Sequence, residues 1–384
     1  MEFETWWLLA IPAFFTLGWI AARVDIKQLV SESRSLPRGY FKGLNFLLNE
    51  QPDKAIDAFI EIVKLDPETA ELHFALGNLF RRRGETERAI RVHQNLLARP
   101  DLPLEHKVHA QYELGQDYLN AGLLDRAEET FNQLIDTQYG AQARRALLEI
   151  YQREKEWERA IQAAHALQES GAGGRQKEIA QFYCELAQDE LVHTHPDAAI
   201  TLLEKALAAD RKSVRATILL GDAQLAQGDT ELALLTWRRV EHQSVPHVAL
   251  VAQRLMDGYR AVGRAQEGVN LLKFYLAEAS SIDLLEVVFK AVLELEGVDA
   301  ANQMVSDELR RTPTLLGLDK LLEARLMEAP PEMRSELSLV KNLVHGYTQK
   351  LARYQCSHCG FKARQYYWHC LLYTSDAADD SLRV

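Results

Sequence analysis

The sequence predicts an all-α chain organised as a helical-repeat solenoid, and three observations carry that reading. Helix breakers are scarce, with 20 Gly and 11 Pro among 384 residues, while Leu, Ala, Glu, Gln and Arg, all good helix formers, are abundant. A small residue recurs at a nearly constant interval through the middle of the chain. An uncharged run and a cysteine cluster bracket this periodic region at opposite ends. The hydrophobic content of 47% and charged content of 26% are those of a folded protein. The formal charge of −11 argues against general nucleic-acid binding, which needs a basic face to release counterions.

Residues 6–22 read WWLLAIPAFFTLGWIAA, without a charge. A helix of that length spans about 26 Å, close to a hydrocarbon core. Glu2 and Glu4 precede the run, and Arg23, Lys27, Arg34 and Arg38 follow it. A cleavable signal peptide wants the opposite flank. The positive-inside rule therefore predicts a transmembrane signal anchor over 1–23 and a juxtamembrane linker over 24–35, with the rest of the chain cytoplasmic.

The periodic small residues are Ala55, Ala89, Ala127, Ala160, Ala199, Ala233, Gly268 and Ala301, spaced by 34, 38, 33, 39, 34, 35 and 33. The interval centres on the 34-residue tetratricopeptide period, with insertions before the third and fifth repeats. Twelve residues upstream stand Gly43, Gly77, Gly115, Ala187 and Gly221, small so that the two helices of a repeat can cross closely. Leu76-Gly77, Leu114-Gly115 and Leu220-Gly221 resemble the tetratricopeptide Leu-Gly pair. The fourth repeat departs, with Leu148 at the small position. Phe59, Phe131 and Trp237, four residues downstream, are expected to fill the space between neighbouring repeats. Gly84, Gly122, Gly228 and Gly263 mark the turns between paired helices. About eight repeats are expected over 36–315, stacked into a superhelix with a concave groove. Capping helices are expected over 316–350.

Candidate partner-binding residues lie on the inner helices: Phe74, Asn78, Arg81 and Arg82 of the second repeat, and Tyr112 and Gln116 of the third. They do not reproduce the Lys/Asn/Lys/Arg set of a carboxylate clamp. The arginine run through Arg83, Arg88 and Arg91 reads either as a solvated face or as a surface for an acidic partner. His193 and His195 have metal-like spacing without a third ligand, and Cys184 reads as a buried small hydrophobe. No phosphate loop, HExxH helix or nucleophile elbow is present, so no catalytic centre is expected.

The C-terminal segment is different. Cys356-Ser-His-Cys359-Gly360-Phe361 reads as a thiolate knuckle, with Gly360 allowing the tight turn. A thioredoxin-like redox pair is the rival, but no βαβ context surrounds it. Cys370 follows Tyr367-Trp-His369, and the partner expected at 373 is a tyrosine. His358 or His369 is an alternative fourth ligand.

Anchor, repeats and knuckle together resemble the lipopolysaccharide assembly protein B (LapB) family of Gram-negative bacteria. Gly43-Leu-Asn-Phe-Leu-Leu48, Leu76-Gly-Asn-Leu-Phe80 with Arg81, Phe182-Tyr-Cys-Glu-Leu-Ala187 and Tyr367-Trp-His-Cys370 carry the resemblance, which extends from the anchor to residue 370. It implies a non-enzymatic adaptor in the inner membrane, presenting the committed-step lipid A deacetylase to the FtsH protease. A scaffold for other envelope-assembly membrane proteins, without a proteolytic role, is the alternative. The resemblance also implies a rubredoxin-like domain holding iron or zinc at four cysteines, with Cys356, Cys359 and Cys370 at matching positions over 351–370. Residues 371–384, LLYTSDAADDSLRV, fit neither that domain nor a repeat helix and read as a non-native tail. The metal segment is therefore expected to be truncated.

Overall fold

The computed structural model describes residues 42–43, 45–46, 51–65, 70–171, 173–279 and 281–368. The expected anchor and linker, Cys370 and the 371–384 segment lie outside them. Among the described residues no helix is long and apolar enough to cross a membrane.

The chain divides into two compact units at Ile150/Tyr151. The first contains α1 (Pro52–Leu65), α2 (Ala70–Arg82), α3 (Thr86–Leu97), α4 (Leu104–Asn120) and α5 (Leu124–Asn132). The boundary falls inside α6 (Gly140–Glu154). The second unit continues with α7 (Trp157–Glu169), α8 (Gln176–Val192), α9 (Pro196–Ala209), α10 (Val214–Ala226), α11 (Thr230–Arg238) and the short α12 (Val240–Gln243). A 3-10 turn at Val245–His247 leads into α13 (Val248–Ala261), α14 (Ala265–Glu278), α15 (Ile282–Leu295), α16 (Val298–Arg311), α17 (Leu315–Glu328) and α18 (Pro331–Thr348). A two-residue hairpin, β1 (Tyr354–Gln355) with β2 (Lys362–Ala363), follows.

The helices pack in sequence from α1 to α5 in the first unit and from α7 to α18 in the second. The inner helices also touch the next inner helix: α2 meets α4, α8 meets α10, α13 meets α15, and α15 meets α17. This nearest-neighbour arrangement is the repeat stacking that the period predicts. Ala55, Ala89, Ala127, Ala160, Ala199, Ala233 and Ala301 are all 0% exposed. The two insertions fall in the loops between repeats, between α3 and α4 and between α7 and α8. Leu148, the departure in the fourth repeat, is a buried core residue.

The large residues do not act only between repeats, as the sequence suggested. Phe59 and Phe131 lie against Gly43 and Gly115 of their own repeats, where an added Cβ would come within 2.8 Å of the ring. Trp237 lies against Gly221 in the same way and also reaches Gly258 of the following repeat. The slot sixteen residues after the inner-helix glycine is thus a contact inside the repeat. In the fifth repeat the pair is Ala187 and Leu203, both buried in one cluster. In the second repeat the slot holds His93.

Six of the turns inside repeats close the same way, whereas before Ala301 the positive φ falls one residue later, on Gly297 (φ +96°). In the six, the residue five before the repeated small residue has positive φ, from +73° to +90° at Gly84, Gly122, Gly228 and Gly263. The next amide reaches five residues back, as in Glu85 N–H to Phe80 O at 2.9 Å and Arg264 N–H to Tyr259 O at 2.8 Å. This is the Schellman motif, which satisfies carbonyls at a helix end. Lys155 (φ 59°) and Thr194 (φ 61°) occupy the same position without being glycine.

Candidate functional site

Two clusters involve the residues singled out in the sequence, one in each unit. In the first unit, Phe74, Asn78 and Arg81 follow one another at helical spacing and share one face of α2. That face meets His109, Glu113 and Asp117 of α4, spaced the same way. The Arg81 guanidinium donates to Asp117 Oδ1 at 2.8 Å, to the Glu113 carbonyl at 3.0 Å and to Glu113 Oε2 at 2.5 Å, and also to Asn78 Oδ1. The second oxygen of Asp117 meets His93 Nδ1 at 2.5 Å, and both side chains are fully buried. Two helices from successive repeats and the partner helix α3 are therefore joined through one carboxylate.

Burial pushes the Glu113 carboxyl up, but hydrogen bonds from His109 and Arg81 and the Arg81 charge outweigh it and hold the pKa at about 2. Phe74 is 6% exposed, and its ring stacks on His109 with centroids 4.1 Å apart. The stack continues from His109 to Tyr139 at 5.6 Å and from Tyr139 to Tyr112 at 4.7 Å. Burial raises the Tyr112 hydroxyl, and the Glu113 charge adds to that.

Of the six candidate partner residues, the structure draws Phe74, Asn78 and Arg81 into this junction. Tyr112 and Gln116 share α4, with Gln116 Nε2 3.4 Å from the Tyr112 hydroxyl. Arg82 is exposed. Tyr112, Gln116 and Tyr139 are half-buried. His93, His109, Glu113, Asp117 and Tyr139 were not read from the sequence. His93 carried a readable signal, since it stands where other repeats place Phe or Trp.

The second cluster is the knuckle. In the hairpin Tyr354 pairs with Ala363 and Gln355 with Lys362. Between the strands Gly360 (φ +73°) donates to the Cys356 carbonyl at 2.8 Å, and Cys356 N–H donates to the Phe361 carbonyl at 2.8 Å. This is the left-handed turn expected of a CxxCG knuckle. Cys356 is buried among Tyr354, Cys359, Tyr366 and Tyr367. Both thiols thus belong to one ordered turn, a donor set that suits a thiophilic metal. Cys370 lies outside the described residues, and among the described residues no three His, Cys, Asp or Glu side chains form a metal-holding group.

The knuckle is fixed to the repeats of its own unit. Arg353 bonds Asp283 Oδ1 at 2.5 Å and Glu286 Oε2 at 3.4 Å, both on α15, and the Tyr354 hydroxyl donates to Asp283. Tyr366 OH lies 3.0 Å from His247 Nε2. Trp368 packs on the large apolar cluster that runs from α10 to α17. Burial raises the Tyr366 hydroxyl to about 12, so it remains protonated and able to hydrogen-bond His247. Elsewhere, Cys184 is fully buried and its thiol is pushed up to about 12 by that burial. His193 and His195 are exposed and lie beside Asp189 and Glu190 respectively.

Stacked helix pairs closed by Schellman turns, with a buried small residue repeated at the helix crossings, define a tetratricopeptide-repeat protein. The tetratricopeptide repeat model matches residues 42–101, 112–175 and 184–244. More particularly, the chain belongs to the lipopolysaccharide assembly protein B family. It is 38% identical over 366 residues to the Escherichia coli K12 protein of that name, covering 94% of each chain. It is 29% identical over 380 residues to the Haemophilus influenzae protein of the same name, again covering 94% of each. Among solved structures, the TPR2AB-domain:pHSP90 complex of yeast Sti1 matches with a TM-score of 0.33 and 12% identity, over 72% of this chain and 98% of that one.

Proposed function

We propose that this protein acts in lipopolysaccharide assembly as a non-catalytic adaptor, anchored in the bacterial inner membrane by residues 1–23 with its repeats on the cytoplasmic side. Its role in this reading is to present the lipid A deacetylase to the FtsH protease. The observation that carries it is the 38% identity, over 94% of both chains, to a protein named for that assembly. A stack of helix pairs with no nucleophile or phosphate motif suits protein recognition. Confinement by the anchor raises the effective concentration of a bound substrate near a membrane protease.

Cys356 and Cys359, with Cys370, are the residues that would hold iron or zinc, and the metal would supply a structural cross-link between knuckle segments. The chain's own residues already seat the knuckle: Arg353 and Tyr354 bind Asp283, and Tyr366 meets His247. The deciding experiment is the half-life of the deacetylase in a deletion strain complemented with this chain. Restored turnover is expected, and it should be lost when residues 1–23 are removed. A half-life unchanged by deletion would leave a scaffold for other envelope-assembly proteins as the better description.

A further inference from the structure

Charge is unevenly spread along the chain. Against a formal charge of −11 overall, residues 337–368 hold Lys341, Lys350, Arg353, Lys362 and Arg364 and no Asp or Glu. In the knuckle, part of this basic stretch surrounds an open cavity of about 660 Å³, lined by Arg353, Phe361, Ala363, Arg364, Gln365 and Tyr367. Its two arginines differ in what they already hold. Arg353 is committed to Asp283 and Glu286 of α15 and fastens the cavity to the repeats. Arg364 is exposed, and its one hydrogen-bond partner among the described residues is the Gln349 amide oxygen, at 2.9 Å. Lys362 on β2, two residues from Arg364, and Lys350, next to Gln349, are exposed as well. Among the described residues no carboxylate pairs with any of these three cations.

We propose, building on the protein-recognition part of the reading above, that this cavity binds an acidic segment of a partner protein, which sets a carboxylate on Arg364 and an apolar side chain beside it. A guanidinium offers parallel N–H groups that match a carboxylate, and the one on Arg364 has no charge partner of its own. Phe361 is 37% exposed and Tyr367 is half-buried, so an apolar neighbour of that carboxylate has rings to cover. Covering them removes water from the ion pair and strengthens it. Lys350 and Lys362 contribute attraction during approach. The acidity of the rest of the chain repels such a segment elsewhere and confines it to this basic stretch. A bilayer also attracts cations, but it meets a flat basic face, whereas a concave site walled by aromatic rings suits a protruding side chain.

The test is fluorescence anisotropy of a labelled peptide, four repeats of Asp-Glu-Leu, titrated with the full chain in neutral detergent. Saturable binding is expected, at least about tenfold tighter than that of an Asn-Gln-Leu peptide of the same length. Arg364→Glu with Lys362→Glu should weaken it at least about tenfold, and Phe361→Ala severalfold. The same charge change at two other exposed cations, Arg211→Glu with Lys212→Glu, should alter it less than about twofold, with circular dichroism verifying helical content in each variant. Equal affinity for the two peptides, or equal loss from the two double variants, overturns the proposal. Displacement of the peptide by an equal concentration of phosphatidylglycerol in the micelles also overturns it, in favour of a lipid headgroup. So does binding that appears only when residues 371–384 are removed, since Asp376, Asp379 and Asp380 of the chain's own end would then be the occupant. Deacetylase half-life is a separate readout, so failed peptide binding with turnover intact overturns this proposal alone.

Discussion

The same slot is filled in opposite ways in the two units. Against Gly221 stands Trp237, 1% exposed, whose indole N–H donates locally to the Ile218 carbonyl at 3.1 Å. Its ring joins Leu255, Val269 and Leu272 in a large apolar cluster. Against Gly77 stands His93, 0% exposed, whose Nδ1 requires Asp117, which in turn holds Arg81, which also holds Glu113. The tryptophan satisfies itself within its repeat and contributes through area. The histidine draws on two further helices and contributes through connection, leaving its own Nε2 without a hydrogen-bond partner. A register position fixes how much volume is needed and leaves open how the repeats are tied together.

The largest effects should come from emptying either slot. Trp237→Ala is expected to cost about 3–5 kcal/mol through lost burial and a cavity. Asp117→Ala should also cost about 3 kcal/mol, because it deprives the buried His93 of its partner and leaves Arg81 with one carboxylate instead of two. Amide exchange separates the two. Trp237→Ala should speed exchange in α10–α13, and Asp117→Ala in α2–α4, because repeats depend on their neighbours. Uniform acceleration along the chain would break the distinction.

Acid should reach the polar junction specifically. Glu113 has a folded pKa of about 2 against an ordinary value of 4.5. A lowered carboxylate contributes stability fully above its unfolded pKa and loses it as pH falls through the folded one. The window is therefore pH 4.5 down to about 2, with on the order of 2–3 kcal/mol at stake. Glu113→Gln should flatten the acid response of α2–α4 in exchange measurements. An unchanged profile would mean that Arg81 does not control this carboxylate.

A smaller effect tests the comparison through the residues that other repeats use. Trp237→Phe keeps an apolar aromatic in the slot and should cost less than about 1.5 kcal/mol. His93→Phe installs the residue found in the first and third repeats, yet it leaves one Asp117 oxygen unpaired. It should cost about 2 kcal/mol in denaturant unfolding. Removing Asp117 as well should recover part of that loss only if Arg81 is satisfied by Glu113.

Much of this was legible in the sequence because tetratricopeptide packing is written in residue size. The alanines at each crossing and the glycines opposite Phe59, Phe131 and Trp237 state the helix pairing directly. The Arg81 network was not legible. Its partners lie 32 and 36 residues away, and spacing alone cannot tell an arginine turned toward the next repeat from its neighbour Arg82, which is exposed. Likewise the CxxC knuckle was readable as local turn chemistry, whereas its seat on Asp283 and His247 depends on contacts across 71 and 119 residues.

The turns give the smallest effect and the cleanest one. Gly122 has φ +74° with nothing within 4 Å of an added Cβ, so Gly122→Ala should cost about 1 kcal/mol from backbone strain alone. Thr194 already sits in that conformation at φ 61°, as a β-branched residue, and still closes its Schellman turn through His195 N–H to Glu190 O at 2.9 Å. Thr194→Gly relieves the strain, while the greater freedom of glycine in the unfolded chain offsets part of the gain. The net should be a stabilisation of up to about 1 kcal/mol. Lys155→Gly should gain less, because an unbranched side chain is less strained at positive φ. Slower exchange of the His195 amide would verify the gain at its source. Destabilisation by Thr194→Gly would instead mean that the Thr194 hydroxyl, which donates to the His193 carbonyl at 2.6 Å, stabilises the turn more than its backbone strain costs.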